Sequence, residues 1–364
     1  MSVPHGDERF VVALSGDFLN DAGEFAYPDF DLSPLSGDPR IAIRFLPMRN
    51  RIESADLEGV DALIVDDPLV TAESLPDGDR LALVARFGVG FDSVDVDALT
   101  RRSIALVNTP DGVRRPVATS IIALILALTL KLLEKDRLAR RGARGFAEKG
   151  SFVGTGLVGK TLGSIGLGNI GSEMFRLLKP FDLRMIAHDP YASTEQAAAL
   201  GVDLLDFDDV LGQADILVIN CPLNAATEKL INRRAIGLMK PTALLINTAR
   251  GRIVDQVALT EALQQGAIAG AGLDVFAQEP PADDDPILKL DNVVLSPHAL
   301  CWTNECIAGN GAADVRAVLE ALGGRLPSSI VNRSVVDDPQ WRLKLQRNAE
   351  RFGAGADEPK SVDL

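Results

Sequence analysis

The sequence predicts an α/β fold of two doubly wound parallel-sheet domains, and three observations carry that reading. Short apolar runs alternate with polar or helical connections through the first third of the chain. The alternation restarts near Lys160, after a long apolar stretch, and three of the later runs are each followed by a polar residue, Arg250, Glu279 and His298. Alternating strands and helices build parallel sheets, and in an open parallel sheet such strand ends face one crevice.

The first runs fall at residues 10–14, 41–45, 62–65, 81–85 and 104–107, which fits one small doubly wound domain. Residues 16–39 are rich in Asp, Gly, Pro and Phe and longer than a usual connection. They read either as a structured loop near an active site or as decoration. From Pro116, where proline suits the first turn of a helix, an apolar stretch runs to about Arg141, long enough to bridge two domains. Its most apolar part, 117–130, is shorter than the roughly 20 residues that cross a bilayer. Thr119, Ser120 and Thr129 interrupt it, so it reads as a buried helix. The basic, glycine-rich Arg140-Arg-Gly-Ala-Arg-Gly-Phe146 that follows reads as a solvated connection.

Strands are expected next at 162–165, 184–188, 216–220, 243–247, 271–275 and 293–295, with a helix from about Ile170, a Rossmann-like repeat. The helix after Trp302 is expected to lead back to the first domain, because the last strand completes the second sheet. The fold class is therefore α/β, with a Rossmann coenzyme domain at 116–303 inserted into a flavodoxin-like substrate domain formed by 1–115 and 304–364. From about residue 337 the chain is charged and poor in periodicity, and is expected to be loosely held.

With 364 residues, 46% hydrophobic and 24% charged, the chain has room for two cores. A net charge of −14 argues against nucleic acid, whose phosphates it would repel, while local arginines leave small anionic substrates open. The polar, acidic start lacks a secretory signal, and the sparse, odd set Cys221, Cys301 and Cys306 suits a reducing compartment. A cytoplasmic location is expected. Cys301 and Cys306 stand five apart with only His298 near, which is not a zinc spacing, so no metal is expected.

A lone Gly-x-Gly-x-x-Gly is weak evidence, but Gly166-x-Gly168-x-x-Gly171 follows an expected strand, opens an expected helix and is trailed by an acidic residue. Gly166 permits the tight turn, Gly168 lets the backbone approach a pyrophosphate, and Gly171 lets the helix pack on the sheet with its dipole facing phosphates. Asp189, eighteen residues after Gly171, would accept hydrogen bonds from the adenosine ribose. A 2′-phosphate there would meet a carboxylate, which favours NAD over NADP, although Arg184 lies close enough to compensate.

Reduction of a 2-keto acid needs a cation to hold the carboxylate and polarise the keto oxygen, and an acid to protonate that oxygen as hydride arrives. Arg250 and His298 supply the two residue types, and Glu279 is the candidate to hold the ring and raise its pKa. Of the three histidines, His5 lies near the N-terminus and His188 beside Asp189 at the adenosine end, which leaves His298.

On these residues the chain resembles the D-isomer-specific 2-hydroxyacid dehydrogenases, over nearly its whole length up to about residue 332. The matching motifs are Gly88-Val-Gly90-Phe-Asp92, Val107-Asn-Thr-Pro110, Gly159-Lys-Thr-Leu-Gly-Ser-Ile-Gly166, Cys221-Pro-Leu223 with Thr227, Ile246-Asn-Thr-Ala-Arg-Gly251, Gly272-Leu-Asp-Val-Phe276 with Glu279-Pro280, and Ser296-Pro-His298. The resemblance implies that Arg250 binds the substrate carboxylate and carbonyl, that Glu279 and His298 form the acid–base pair, and that amides of the Gly88-Val89-Gly90 loop, those of Val89 and Gly90, hold the carboxylate. It also implies that Asp274 binds the nicotinamide amide, that Asn169, Ile170, Cys221, Pro222, Thr227, Thr248 and Ala249 line the cofactor, and that the coenzyme domains dimerise.

Two departures bear on substrate. After the histidine, where members have small residues, this chain reads Ala299-Leu-Cys-Trp302, which either narrows a pocket or packs elsewhere. Val117-Ala-Thr119 replaces a common Val-Ala-Glu and follows Arg114-Arg115, a pair that would suit a second anionic group or simply be solvated. The expected activity is NAD-dependent reduction of a 2-keto acid of the glyoxylate or hydroxypyruvate type. The alternatives are a phosphoglycerate-type dehydrogenase using Arg114 or Arg115, and a non-catalytic NAD(H)-sensing module resembling transcriptional corepressors.

Overall fold

A computed structural model describes residues 9–353. The chain divides into two compact units, Met1–Val113 with Asn304–Leu364, and Arg114–Thr303. His5 lies outside the described residues.

The first unit is built on a parallel sheet of β1 (Phe10–Leu14), β2 (Ile41–Phe45), β3 (Ala62–Val65), β4 (Leu83–Arg86) and β5 (Ala105–Asn108) in the order β2-β1-β3-β4-β5. All four residues of β3 are fully buried, the signature of a parallel strand covered on both faces. One face packs Phe10, Val12 and Leu14 with Val318, Leu322 and Trp341. The other packs Leu63, Val65, Val84, Leu99 and Leu106. The order reverses between β1 and β3, and the loops after β1 and β4 lie on the carboxyl edge of the sheet.

Residues 16–39 follow β1 directly, and of the two expectations the structured loop is what forms. Phe18 and Phe30 each stand 5.2 Å from the ring of Phe87, with Tyr27 at 5.9 Å. The rings pack this long connection onto the core of the first unit, where Phe18, Phe30 and Phe87 are buried with Val12 and Leu14.

The expectation of a loosely held chain from 337 is corrected for the described residues. Asp338 accepts from the backbone N–H of Gln340 and opens the helix Pro339–Phe352, in which Trp341, Lys344, Leu345, Asn348 and Phe352 are buried. Their spacing is helical, but two of the five are polar, so the apolar period is masked. Partners in the fold allow their burial. The Trp341 indole N–H donates to Ala82 O at 2.9 Å, and Lys344 Nζ donates to Leu81 O, Arg102 O and Ser103 O at 2.8–2.9 Å.

The second unit holds seven parallel strands, β6 (Thr161–Ile165), β7 (Arg184–His188), β8 (Asp203–Leu204), β9 (Ile216–Ile219), β10 (Leu244–Asn247), β11 (Gly270–Leu273) and β12 (Val293–Leu295), in the order β12-β11-β10-β9-β6-β7-β8. The two-residue β8 is too short to leave a sequence signal. The order reverses between β6 and β9, the switch point at which such sheets bind ligands.

The long apolar helix differs from expectation at both ends. It runs Pro110–Thr129, so proline does open it, but at 110, and Pro116 lies inside. It stops at Thr129 because Lys131 takes a left-handed conformation, φ +52°, and Thr129 O accepts the N–H of Thr155 at 2.7 Å. Two shorter helices, Leu132–Arg140 and Ala143–Ala147, follow, so the basic segment is partly helical, and Arg141 pairs with Glu148. The helix is long and apolar enough to cross a membrane, but Ala118, Ile121, Leu124 and Ile125 are buried in the core of this unit.

Candidate active site

The glycine loop leaves β6 at the switch point. Gly166 has φ +103°, and a Cβ there would lie 2.7 Å from the carbonyl carbon of Asn220, so only glycine fits. The helix Asn169–Leu178 that follows has Gly168 as its N-cap, with no side-chain cap and open space where a Cβ would stand. An uncapped helix start behind a bare backbone offers N–H donors and a positive dipole end to phosphate. The donor set therefore fits a dinucleotide, with Asn169 and Ile170 in the first turn.

Asp189 follows β7. Its Oδ2 accepts the Leu167 N–H at 2.7 Å and Oδ1 the Tyr191 N–H at 2.9 Å, which ties this carboxylate, the one expected at the ribose, to the glycine loop. Arg184, weighed as a 2′-phosphate partner, is engaged by Gln213 and stands 3.5 Å from Asp203. His188 Nδ1–H donates to Leu205 O at 3.1 Å and the ring lies edge-on to Phe207, a structural setting. In the segment after β9, Thr227 Oγ1 donates to Pro222 O at 2.6 Å and accepts from Asn224 N, closing the turn that begins at Cys221. Burial pushes the Cys221 thiol up to about 11, which keeps it protonated.

Arg250, Glu279 and His298 come together at the carboxyl edge of β10, β11 and β12. Asn247, the last residue of β10, accepts the Ala249 N–H and donates to Arg250 O, both at 3.0 Å, which shapes the Thr248-Ala249-Arg250 turn. Sequence reasoning gave Asn247 no role, although its place in the Asn-Thr-Ala-Arg motif was the available signal. After β11, Glu279 Oε1 accepts the Phe276 N–H at 2.8 Å, leaving Oε2 to meet His298 Nδ1 at 2.7 Å.

His298 has a left-handed backbone, φ +55°, costly for a residue with a Cβ. Asp274 supports it. Its buried Oδ1 accepts from Ser296 Oγ at 2.6 Å and from the N–H groups of Ala299 and Leu300 at 3.2 Å, bracketing the histidine on both sides. Asp274, expected to bind the nicotinamide amide, thus has its Oδ1 engaged in this turn.

Burial favours the neutral imidazole, but the hydrogen bond and charge of Glu279 outweigh it, so the His298 pKa is raised, with Arg250 opposing. Burial pushes Glu279 up, and the His298 bond, the Phe276 N–H and the Arg250 charge bring it below the usual carboxylate range. Each partner thus favours the charged form of the other, with an arginine in electrostatic reach.

In the first unit, the loop after β4 has three successive carbonyls turned inward. Phe87 O accepts from Arg86 Nη1, Gly88 O from Thr109 N at 3.0 Å, and Val89 O from Asn108 Nδ2 at 2.9 Å. The N–H groups of Val89 and Gly90 have no acceptor among the described residues. Successive free amides of this kind form an anion-binding concavity.

Arg115 is ion-paired with Glu173 at 2.7 Å, a carboxylate that Arg176 also holds. Trp302 is 47% exposed in its unit. Three carboxylates, Asp17, Asp66 and Asp67, lie within 4.8 Å of one another. Asp17 accepts from Ser15 Oγ and Asp67 N, and Asp66 faces Arg86 at 3.4 Å.

The profile of the D-isomer specific 2-hydroxyacid dehydrogenase NAD binding domain matches residues 122–299. The chain is 36% identical over 286 residues to the D-3-phosphoglycerate dehydrogenase of Archaeoglobus fulgidus, covering 78% of this chain and 54% of that one. It is also 36% identical over 293 residues to the glyoxylate reductase of Korarchaeum cryptofilum, covering 80% and 88%. It thus spans about half the length of the phosphoglycerate dehydrogenases it matches. Among solved structures, the NADPH-dependent glyoxylate/hydroxypyruvate reductase of Sinorhizobium meliloti, in complex with NADP and malonate, superposes with TM-score 0.77 at 28% identity, covering 89% of this chain and 97% of that one. The chain belongs to the D-isomer specific 2-hydroxyacid dehydrogenases.

Proposed function

We propose that the chain is an NAD-dependent 2-hydroxyacid dehydrogenase working on a small 2-keto or 2-hydroxy acid. The observation that carries the reading is the Glu279–His298 contact of 2.7 Å with Arg250 in electrostatic reach. A nicotinamide dinucleotide, held by the loop from Gly166 to Gly171 and by Asp189, supplies the hydride when bound.

The residues divide the remaining work. Arg250 binds the substrate carboxylate and polarises its carbonyl, and the amides of Val89 and Gly90 receive the carboxylate. Protonated His298 gives its Nε2 proton to the carbonyl oxygen, since Nδ1 is engaged by Glu279, and Glu279 stabilises the imidazolium and fixes the ring. In the reverse direction neutral His298 takes the hydroxyl proton. Asp189 disfavours a 2′-phosphate and supports NAD over NADP.

Relatives carry the names of both glyoxylate reductases and phosphoglycerate dehydrogenases. We favour a small substrate of the glyoxylate or hydroxypyruvate type, because Arg115, one of the two arginines proposed for a phosphate, already holds Glu173. A homodimer is supported by Leu132, Leu133 and Phe146, which are 56%, 40% and 62% exposed on adjoining short helices of the second unit.

The test is NADH oxidation by the purified protein against glyoxylate, hydroxypyruvate, pyruvate, branched and aromatic keto acids and 3-phosphohydroxypyruvate, with His298→Ala as control. Turnover lost in the control supports the reading. Saturable NADH binding with no turnover of any of them overturns it in favour of a sensing module.

A further inference from the structure

Arg86 is a cation next to the proposed carboxylate loop, and its obvious reading is a ligand for the substrate. The geometry points the other way. The side chain is 15% exposed, closes β4, and turns Nη1 onto the carbonyl of Phe87, with Asp66 Oδ1 at 3.4 Å. Gly88 has φ +134°, and a Cβ on it would lie 1.9 Å from Arg86 Nη1, so the guanidinium fills the space a side chain would take. It is the inner wall of the loop.

We infer that Arg86 is a positioning residue, holding the loop of residues 88–90 in the shape that presents its amides to the substrate carboxylate, with Asp66 anchoring the guanidinium from β3. The inference rests on the carboxylate-binding role proposed for Val89 and Gly90. A peptide plane whose carbonyl is held inward turns its N–H outward. Arg86 fixes the Phe87 carbonyl, whose peptide plane carries the Gly88 N–H at the entry to the loop, while Thr109 and Asn108 fix the carbonyls of Gly88 and Val89, whose planes carry the N–H groups of Val89 and Gly90. Without Arg86 the first plane is free to rotate and the amide concavity loses its preset form, so binding must bear the ordering cost.

A third group stands behind the guanidinium. Asp314, on the helix Asn304–Leu322, is fully buried, and neither of its oxygens has a hydrogen-bond partner among the described residues. Burial pushes it well above the usual carboxylate range, with Arg86 opposing and Asp66 adding to the rise.

A positioning role separates binding from chemistry. In the full-length protein, Arg86→Met is expected to raise KM for the preferred keto acid at least tenfold, with kcat within threefold of wild type and NADH affinity unchanged. Arg86→Lys, which keeps a charge for Asp66, is expected to recover part of the loss. A KM within twofold of wild type in Arg86→Met overturns the inference while leaving the proposed function intact. So does an equal loss in KM, kcat and NADH binding by a folded variant. If Arg86→Met does not fold, Asp66→Asn decides: a threefold or larger rise in KM supports the role and an unchanged KM removes it. Should the wild-type protein turn over no keto acid, calorimetric binding of oxamate to the NADH-loaded protein takes the place of KM. Failure of the wild type to bind oxamate overturns the proposed function and the inference together.

Discussion

The carboxyl edges of the two sheets differ in what they present. The seven-stranded sheet offers charged side chains, with Arg250, Glu279 and His298 following three adjacent strands. The five-stranded sheet offers main chain, with the amides of Val89 and Gly90 turned outward because the carbonyls that share their peptide planes, those of Gly88 and Val89, are held inward. Charged side chains can titrate, so the first edge can move a proton. Amides cannot titrate near neutral pH, so the second can only bind. The difference also appears in how each is supported. Asp274 and Asn247 bond to backbone in order to aim side chains, whereas Arg86 and Asn108 are side chains bonded to backbone in order to aim amides.

The sharpest way to break this contrast is at the titrating edge. His298→Ala is expected to lower kcat by about 10²–10⁴-fold with NADH affinity intact, measured by steady-state kinetics beside a fluorescence titration; normal turnover would falsify the acid assignment. Arg250→Ala is expected to lower kcat/KM by about 10²–10³-fold, through lost carboxylate binding and lost polarisation together. An effect on kcat alone would limit Arg250 to the chemical step.

The frame beneath the binding edge is tested by stability. Trp341→Ala should destabilise the first unit by about 3–5 kcal/mol, read from denaturant midpoints. A change below about 1 kcal/mol would mean the helix Pro339–Phe352 contributes little. Gly166→Ala is expected to weaken NADH binding with KM for the keto acid little changed, because the added methyl meets the Asn220 carbonyl. A loss of keto-acid affinity instead would contradict the division of work.

The smallest effect is a shift in a pH profile. In the proposed mechanism reduction requires protonated His298, whose pKa stands above its ordinary value because of Glu279. The kcat/KM for reduction should therefore be high on the acid side of that pKa and fall as pH rises through it. Glu279→Gln removes the raising charge, so the fall should move to lower pH while activity persists. An unchanged profile takes Glu279 out of the mechanism.

The side-chain edge was largely legible in the sequence, and the backbone edge only as a motif. Apolar runs placed the strands to within a residue or two of 10–14, 62–65, 184–188 and 293–295, and most firmly at 62–65, because a strand buried on both faces has no choice but to be apolar. Polar residues just past such runs stood out, as did the glycine loop. The support was harder to see. Asn247 and Asp274 act through hydrogen bonds to turns whose shape depends on neighbouring strands. The helix Pro339–Phe352 was missed because Lys344 and Asn348 occupy its buried face, and a buried ammonium reads as surface until three carbonyls from elsewhere in the chain surround it.

By itself the sequence determined what is local: the apolar alternation that makes two parallel sheets, the glycines that only a tight turn and a close approach require, and the identity of the arginine, glutamate and histidine. Only the tertiary structure decided that Arg86 faces inward, that the carbonyls of residues 87–89 turn away from the loop surface, and that the long helix stops at Thr129. Each of these depends on a residue distant in sequence, Asp66, Thr109 or Thr155, and the energy of a buried charge or a rotated peptide is set by which groups the fold brings beside it.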